Sequence, residues 1–144
     1  MIEQSAFRAV DVEPMDVHAD SNPTSAHLHW RVALAPEAET DIGGRVVYAT
    51  LHARGQSGGG QVTVAGLILH HPKTLELSLE EFRDGIDESD ALECFYDAAR
   101  GALRLAAALV NVVLEVPTKA PPPEYGLLRK REAMIDEEIS EDGD

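Results

Sequence analysis

Six histidines and one cysteine are the residues of this chain best suited to holding a metal ion or acting as a nucleophile. His27 and His29 stand two apart in a stretch where apolar and polar residues alternate, and His52 falls in a second such stretch. Three imidazoles on one sheet face have the donor set of a zinc site. Neither stretch contains an Asp or Glu to complete or orient it, so the spacing reads as surface histidines on a wetter face. Cys94 lies in the first turn of a predicted helix, where the helix N-terminus lowers a thiol pKa. Its neighbour Phe95 places it on the apolar side, which predicts burial. Gly58-Gly59-Gly60 is not followed by Lys-Ser/Thr or by a helix start, so a phosphate-binding loop is excluded. Asp84, Asp87, Glu88 and Asp90 lack the spacing of a calcium loop and read as a solvated turn. The chain is also read as lacking a serine-nucleophile elbow and a dinucleotide fingerprint. No catalytic residue, metal or cofactor is expected, and a chain of this kind binds something rather than transforming it.

Composition narrows what is bound. The net charge is −14, from 26 acidic against 12 basic residues. That argues against nucleic acid and anionic membranes, which attract cationic patches, and suits a basic partner. One cysteine allows no intrachain disulfide, so an oxidising compartment is not required. The first residues show neither a basic nor an apolar leader region, and no apolar run reaches the ~18 residues of a spanning helix, so a cytoplasmic protein without membrane insertion is expected. Aromatic residues are only 5%, so the core is mostly Ala, Val and Leu.

The elements that would position these residues come in a clear order. Ala6 to Val17 reads as a strand that Pro14 marks as an edge or a bulge. His27 to Ala35 alternates strictly, with Leu28, Trp30, Val32 and Leu34 of one parity, and Arg45 to Arg54 does the same. Gly55 to Gly60 reads as a flexible hairpin loop. Gln61 to His71 is apolar on both parities and predicts a strand buried on both faces. Ser78-Leu79-Glu80-Glu81 is a capping box opening a short helix to about Arg83, stopped near Gly85. Asp90 to about Leu109 is a long amphipathic helix with Leu92, Phe95, Ala99, Ala102, Leu103, Ala106 and Val110 as its apolar stripe. Val112 to Pro117 has extended character. Glu124 to about Glu138 predicts a terminal helix, with Tyr125 packing from it. The last nine residues, six of them acidic, predict a solvated end. Strands followed by helices indicate an α+β fold. The expectation is one domain over residues 1–138, a four-stranded antiparallel sheet with a long helix and a C-terminal helix, and a flexible acidic tail over 139–144.

The layout resembles the SecB family of chaperones over residues 7–138. Phe7 to His18, the loop Ala19 to Ala26 and the strands from His27 to His71 stand where that family has its bulged first strand, crossover loop and further strands. Tyr96-Asp97-Ala98-Ala99-Arg100 stands where the long helix of that family often has an aromatic-x-x-Arg-Glu-like stretch. Leu114-Glu115-Val116-Pro117 and Ala120-Pro121 match its proline-bearing connecting loop. The resemblance implies a SecB-like fold assembled as a homotetramer, a dimer of dimers. It implies ATP-independent holding of unfolded or partly folded polypeptide, with neither cofactor nor metal. Export-type members pass clients to SecA, and other relatives look after an antitoxin. With few aromatics, the implied client groove is aliphatic: Val112, Val113, Leu114 and Val116, with Leu67, Leu69 and Phe82. The alternative is an accessory interaction protein of immunity or phage-assembly type on the same fold, recognising one folded partner.

Overall fold

The computed structural model describes residues 7–39, 41–71 and 77–128. Five strands and two helices follow one another: β1 (Phe7–Asp20), β2 (His27–Leu34), β3 (Gly44–Gly55), β4 (Gly58–His70), α1 (Leu79–Asp87), α2 (Ala91–Leu109) and β5 (Glu124–Leu127). The sheet order is β1-β4-β3-β2-β5. The first four strands pair antiparallel, whereas β5 runs parallel to β2. The expected four-stranded antiparallel sheet is therefore corrected to a mixed sheet of five, and the terminal helix does not begin at Glu124. Pro121-Pro122-Pro123 holds the approach to β5 out of a helix. β2 would otherwise be an open edge, and it takes this extended chain in register, Val32 against Tyr125, with the Leu128 amide donating to the Leu34 carbonyl at 2.8 Å. The rest of the predicted helix and the acidic tail lie outside the described residues.

Alternation decides which sheet face is covered. Trp30, Val32 and Leu34 of β2, Val47, Ala49 and Leu51 of β3, and Val62, Val64 and Ile68 of β4 are buried together with Phe82, Ile86, Phe95, Tyr96 and Leu103 of the helices. The other face carries no helix among the described residues. Ala65, Leu67 and Leu69 of β4 point to it and are only half-buried, so β4 is not fully buried on both faces. Two apolar parities on a strand do not require two covering layers, because the helices lie on one side.

The irregularity of β1 is real. Its register against β4 shifts between Val10 and Glu13 and again between Pro14 and Asp16, and Asp11 has a φ of 55°. The glycine run belongs to a strand rather than to a loop. Gly58, Gly59 and Gly60 open β4, and only two residues connect it to β3. A Cβ on Gly60 would lie 2.5 Å from the His18 carbonyl oxygen and 2.8 Å from Leu103 Cδ1. The glycines thus let β1 and α2 approach β4 closely.

Both parts of the α1 capping box form: Ser78 Oγ accepts from the Glu81 amide at 3.1 Å and Glu81 Oε1 accepts from the Ser78 amide at 2.9 Å. The helix continues past Gly85 to Asp87, and the Phe7 ring packs against Gly85 where a Cβ would stand. At α2, Asp90 makes no side-chain cap, and Ser89 Oγ accepts from the Ala91 amide at 3.1 Å instead. The buried face of α2 is Leu92, Phe95, Tyr96, Ala99, Leu103 and Ala107; Ala102 and Ala106 are half-buried and Val110 is exposed. Cys94 is exposed, contrary to expectation, since Phe95 and Tyr96 take the inward positions of that turn. The helix ends in a Schellman motif: Asn111 takes φ 60°, its amide donates to Ala108, and the Val112 amide donates to Ala107 at 2.8 Å.

Candidate functional site

The Schellman turn reverses the chain, and Val112 to Pro117 runs back past α2. Arg100 Nε donates to the Val116 carbonyl at 3.0 Å, Tyr96 Oη donates to the Pro117 carbonyl at 2.6 Å, and Ser57 Oγ donates to the Val113 carbonyl at 3.0 Å. The aromatic-x-x-x-Arg stretch of α2 is thus the clamp of the connecting segment. Burial pushes the Tyr96 phenol above its usual pKa, which keeps it a donor. Pinned at these points, the segment alternates. Val112 and Val116 are buried, Leu114 is half-buried, and Val113 points to solvent.

An aliphatic surface surrounds this turn. Leu105 is 65% exposed and Leu109 79%, one helical turn apart, and Val110 (40%) and Val113 (78%) follow past the helix end. Single exposed aliphatics are ordinary, but four within nine residues form a cluster of the kind that marks interaction surfaces. Of the residues expected to line a groove, Val113 lies within this stretch with Leu114 beside it. Phe82, Val112 and Val116 are core. Leu67 and Leu69 lie on the opposite, open face of the sheet, so one chain does not gather the seven residues at one place. Leu105 and Leu109 lie outside the predicted apolar stripe, which marks the core side of the helix; their i, i+4 spacing is the sequence signal for this surface.

A pocket of about 230 Å³ lies between Trp30, Ile86, Leu92 and the Ala120–Pro123 stretch, with Asp87 and Glu93 at its walls. Trp30 packs edge-on against Tyr96 at 5.2 Å, and its buried indole N–H has no hydrogen-bond partner among the described residues. Tyr125 of β5 closes towards α1: its hydroxyl donates to Asp87 and the Arg83 guanidinium lies 4.6 Å from its ring centroid. Burial, then the bond to Asp87, holds the Tyr125 phenol far above its usual value.

The open sheet face carries the polar groups. His27, His29 and His52 sit together there, as their parity predicts, and His27 Nε2 lies 3.2 Å from His52 Nδ1. Burial, followed by the charge His27 can carry, lowers the His52 pKa. Glu124 of β5 reaches the same face, 3.4 Å from Arg31 Nε and 3.9 Å from His29 Nδ1. This is the carboxylate that neither β2 nor β3 contains, and it became visible only with the placement of β5. Nearby, Arg54 donates to both oxygens of Asp20 and holds that carboxyl down to about 2.

Gly55-Gln56-Ser57-Gly58-Gly59 does spell the Gly-x-Ser-x-Gly pattern, contrary to the reading above. It forms the turn between two antiparallel strands, not the strand-to-helix elbow that exposes a nucleophile. Ser57 Oγ is bonded to the Val113 carbonyl instead of an imidazole.

No family model matches the chain, and no curated protein matches its sequence. Among solved structures it is similar to Rv1957, a SecB-like chaperone of Mycobacterium tuberculosis in complex with a ChAD peptide from the HigA1 antitoxin. The TM-score is 0.58 at 12% identity, over 83% of this chain and 94% of that one. No described helix is long and apolar enough to cross a membrane. With its bulged first strand, four-stranded antiparallel core, long helix and clamped connecting segment, the chain has a SecB-like fold.

Proposed function

We propose that the protein is a chaperone that holds non-native polypeptide without nucleotide, using the aliphatic surface at the end of α2. The observation that carries this reading is the exposure of Leu105, Leu109, Val110 and Val113 beside a connecting segment pinned by Tyr96 and Arg100. A fixed apolar surface binds unfolded chain by area, with little demand on sequence. The antitoxin peptide held by the structural neighbour supports a client of that type, and the charge of −14 suits a basic one. Leu67 and Leu69 join the surface when copies assemble as a dimer of dimers in the cytoplasm.

Native mass spectrometry with and without a reduced, unfolded polypeptide tests both parts. Tetramers carrying client are expected, together with suppression of client aggregation in the absence of ATP. The double substitution Leu105→Glu and Leu109→Glu should weaken client binding at least about tenfold, since each buried leucine contributes ~1.5–3 kcal/mol. A monomer without affinity for unfolded chain would sink the reading. Tight capture of one folded partner alone would favour an accessory interaction protein.

A further inference from the structure

The aliphatic surface at the end of α2 does not include the histidines of the open sheet face, and their geometry has its own logic. His27 and His29 are two residues apart on β2 and so project from the same face. His52 of β3 stands directly opposite His29 in the register. The ring centroids are separated by 4.7 Å (His27 to His52), 5.3 Å (His27 to His29) and 6.3 Å (His29 to His52). The 3.2 Å between His27 Nε2 and His52 Nδ1 suits a shared proton. It is also close to the ~3.3 Å that separates two nitrogens bound to one tetrahedral zinc ion.

The surroundings favour a cation more than the two arginines suggest. Arg54 is paired with Asp20, and Arg31 with Glu124. Glu124 also lies 3.9 Å from His29 Nδ1, beyond hydrogen-bond length but close enough to accept from that imidazole once its ring turns. As the rings stand, no three donors among the described residues surround one point. His27 and His52 already hold a ligand-like spacing. His29, with a side chain 46% exposed, has the room to turn towards them.

We propose that His27, His29 and His52 form a binding site for a divalent transition-metal ion of the zinc class on the open sheet face, with Glu124 as the orienting carboxylate. Binding needs a lone pair on both His27 Nε2 and His52 Nδ1, so the proton between them passes through solvent to the other nitrogen of its own ring, and the ion ties β2 to β3. Three imidazoles leave a fourth position for water or for an acidic or histidine side chain of a bound partner.

The test uses the full chain and Zn²⁺ itself, titrated in competition with a chromogenic chelator and followed by the ring ¹H–¹⁵N resonances of the histidines. One zinc per chain is expected, with the resonances of His27, His29 and His52 moving together. His27→Ala, His29→Ala and His52→Ala should each weaken binding more than about tenfold, and Glu124→Gln by about tenfold. His71→Ala should leave it unchanged. Far-UV circular dichroism of each variant separates loss of the site from loss of the fold. Absence of zinc binding by the wild-type chain, or a His52→Ala or His29→Ala variant that is folded and binds as wild type, would overturn the proposal. Client holding that persists with zinc removed leaves the chaperone reading intact, so the two fail separately.

Discussion

At the scale of residues, a few polar side chains do work that their types alone do not reveal. Tyr96 is buried against Trp30, yet its hydroxyl reaches the Pro117 carbonyl. Tyr96→Phe should cost about 1 kcal/mol, the usual net worth of such a bond, in urea unfolding. The Asp20 carboxyl is held down to about 2, first by the Arg54 guanidinium and then by the Asn22 amide. Because the folded pKa lies below the 3.8 usual for an Asp carboxyl, this pair stabilises the fold above pH 3.8 and ceases to do so as pH falls through about 2. Asp20→Asn should therefore be less stable than wild type near neutrality, and the gap should close between pH 4 and pH 2 when urea midpoints are compared.

At the scale of elements, close approach and chain reversal are the sensitive points. Gly60→Ala places a Cβ against the His18 carbonyl and Leu103 at once, so β1 and α2 must both shift. A loss of ~1–3 kcal/mol is expected from calorimetry or denaturant unfolding. Asn111 holds the left-handed position that ends α2. Asn111→Gly should be neutral or mildly stabilising, whereas Asn111→Val should cost ~1–2 kcal/mol and loosen the connecting segment behind it. The capping box, the long helix and the bulged first strand were legible because each depends on neighbours in sequence. The strand at Glu124 was not. Its state depends on an open edge at β2, nearly a hundred residues earlier in the chain.

At the scale of the molecule, the sheet separates two surfaces. The helices cover one face and leave aliphatic groups exposed around the end of α2, while the other face carries histidines, Glu124 and half-buried Leu67 and Leu69. Val112 and Val113, adjacent in sequence, should behave in opposite ways. Val112→Ala opens a cavity and should cost ~1–3 kcal/mol. Val113→Ala should leave stability within about 0.5 kcal/mol of wild type while weakening client capture in an aggregation assay. If four copies assemble through these surfaces, the thermal midpoint should rise with protein concentration in differential scanning calorimetry.

The sequence by itself determined the α+β class, the order of the first four strands and α1 and α2 along the chain, and the parity that puts three histidines on one face. These follow from periodicity and local capping, which act over a few residues. Only the tertiary structure decided that no described element covers the open side of β4, that Tyr96 and Arg100 clamp the connecting segment, and that Glu124 joins the histidines. Each of those depends on backbone edges, carbonyls and faces meeting across distant parts of the chain, and burial of one apolar face against the helices sets which of them meet.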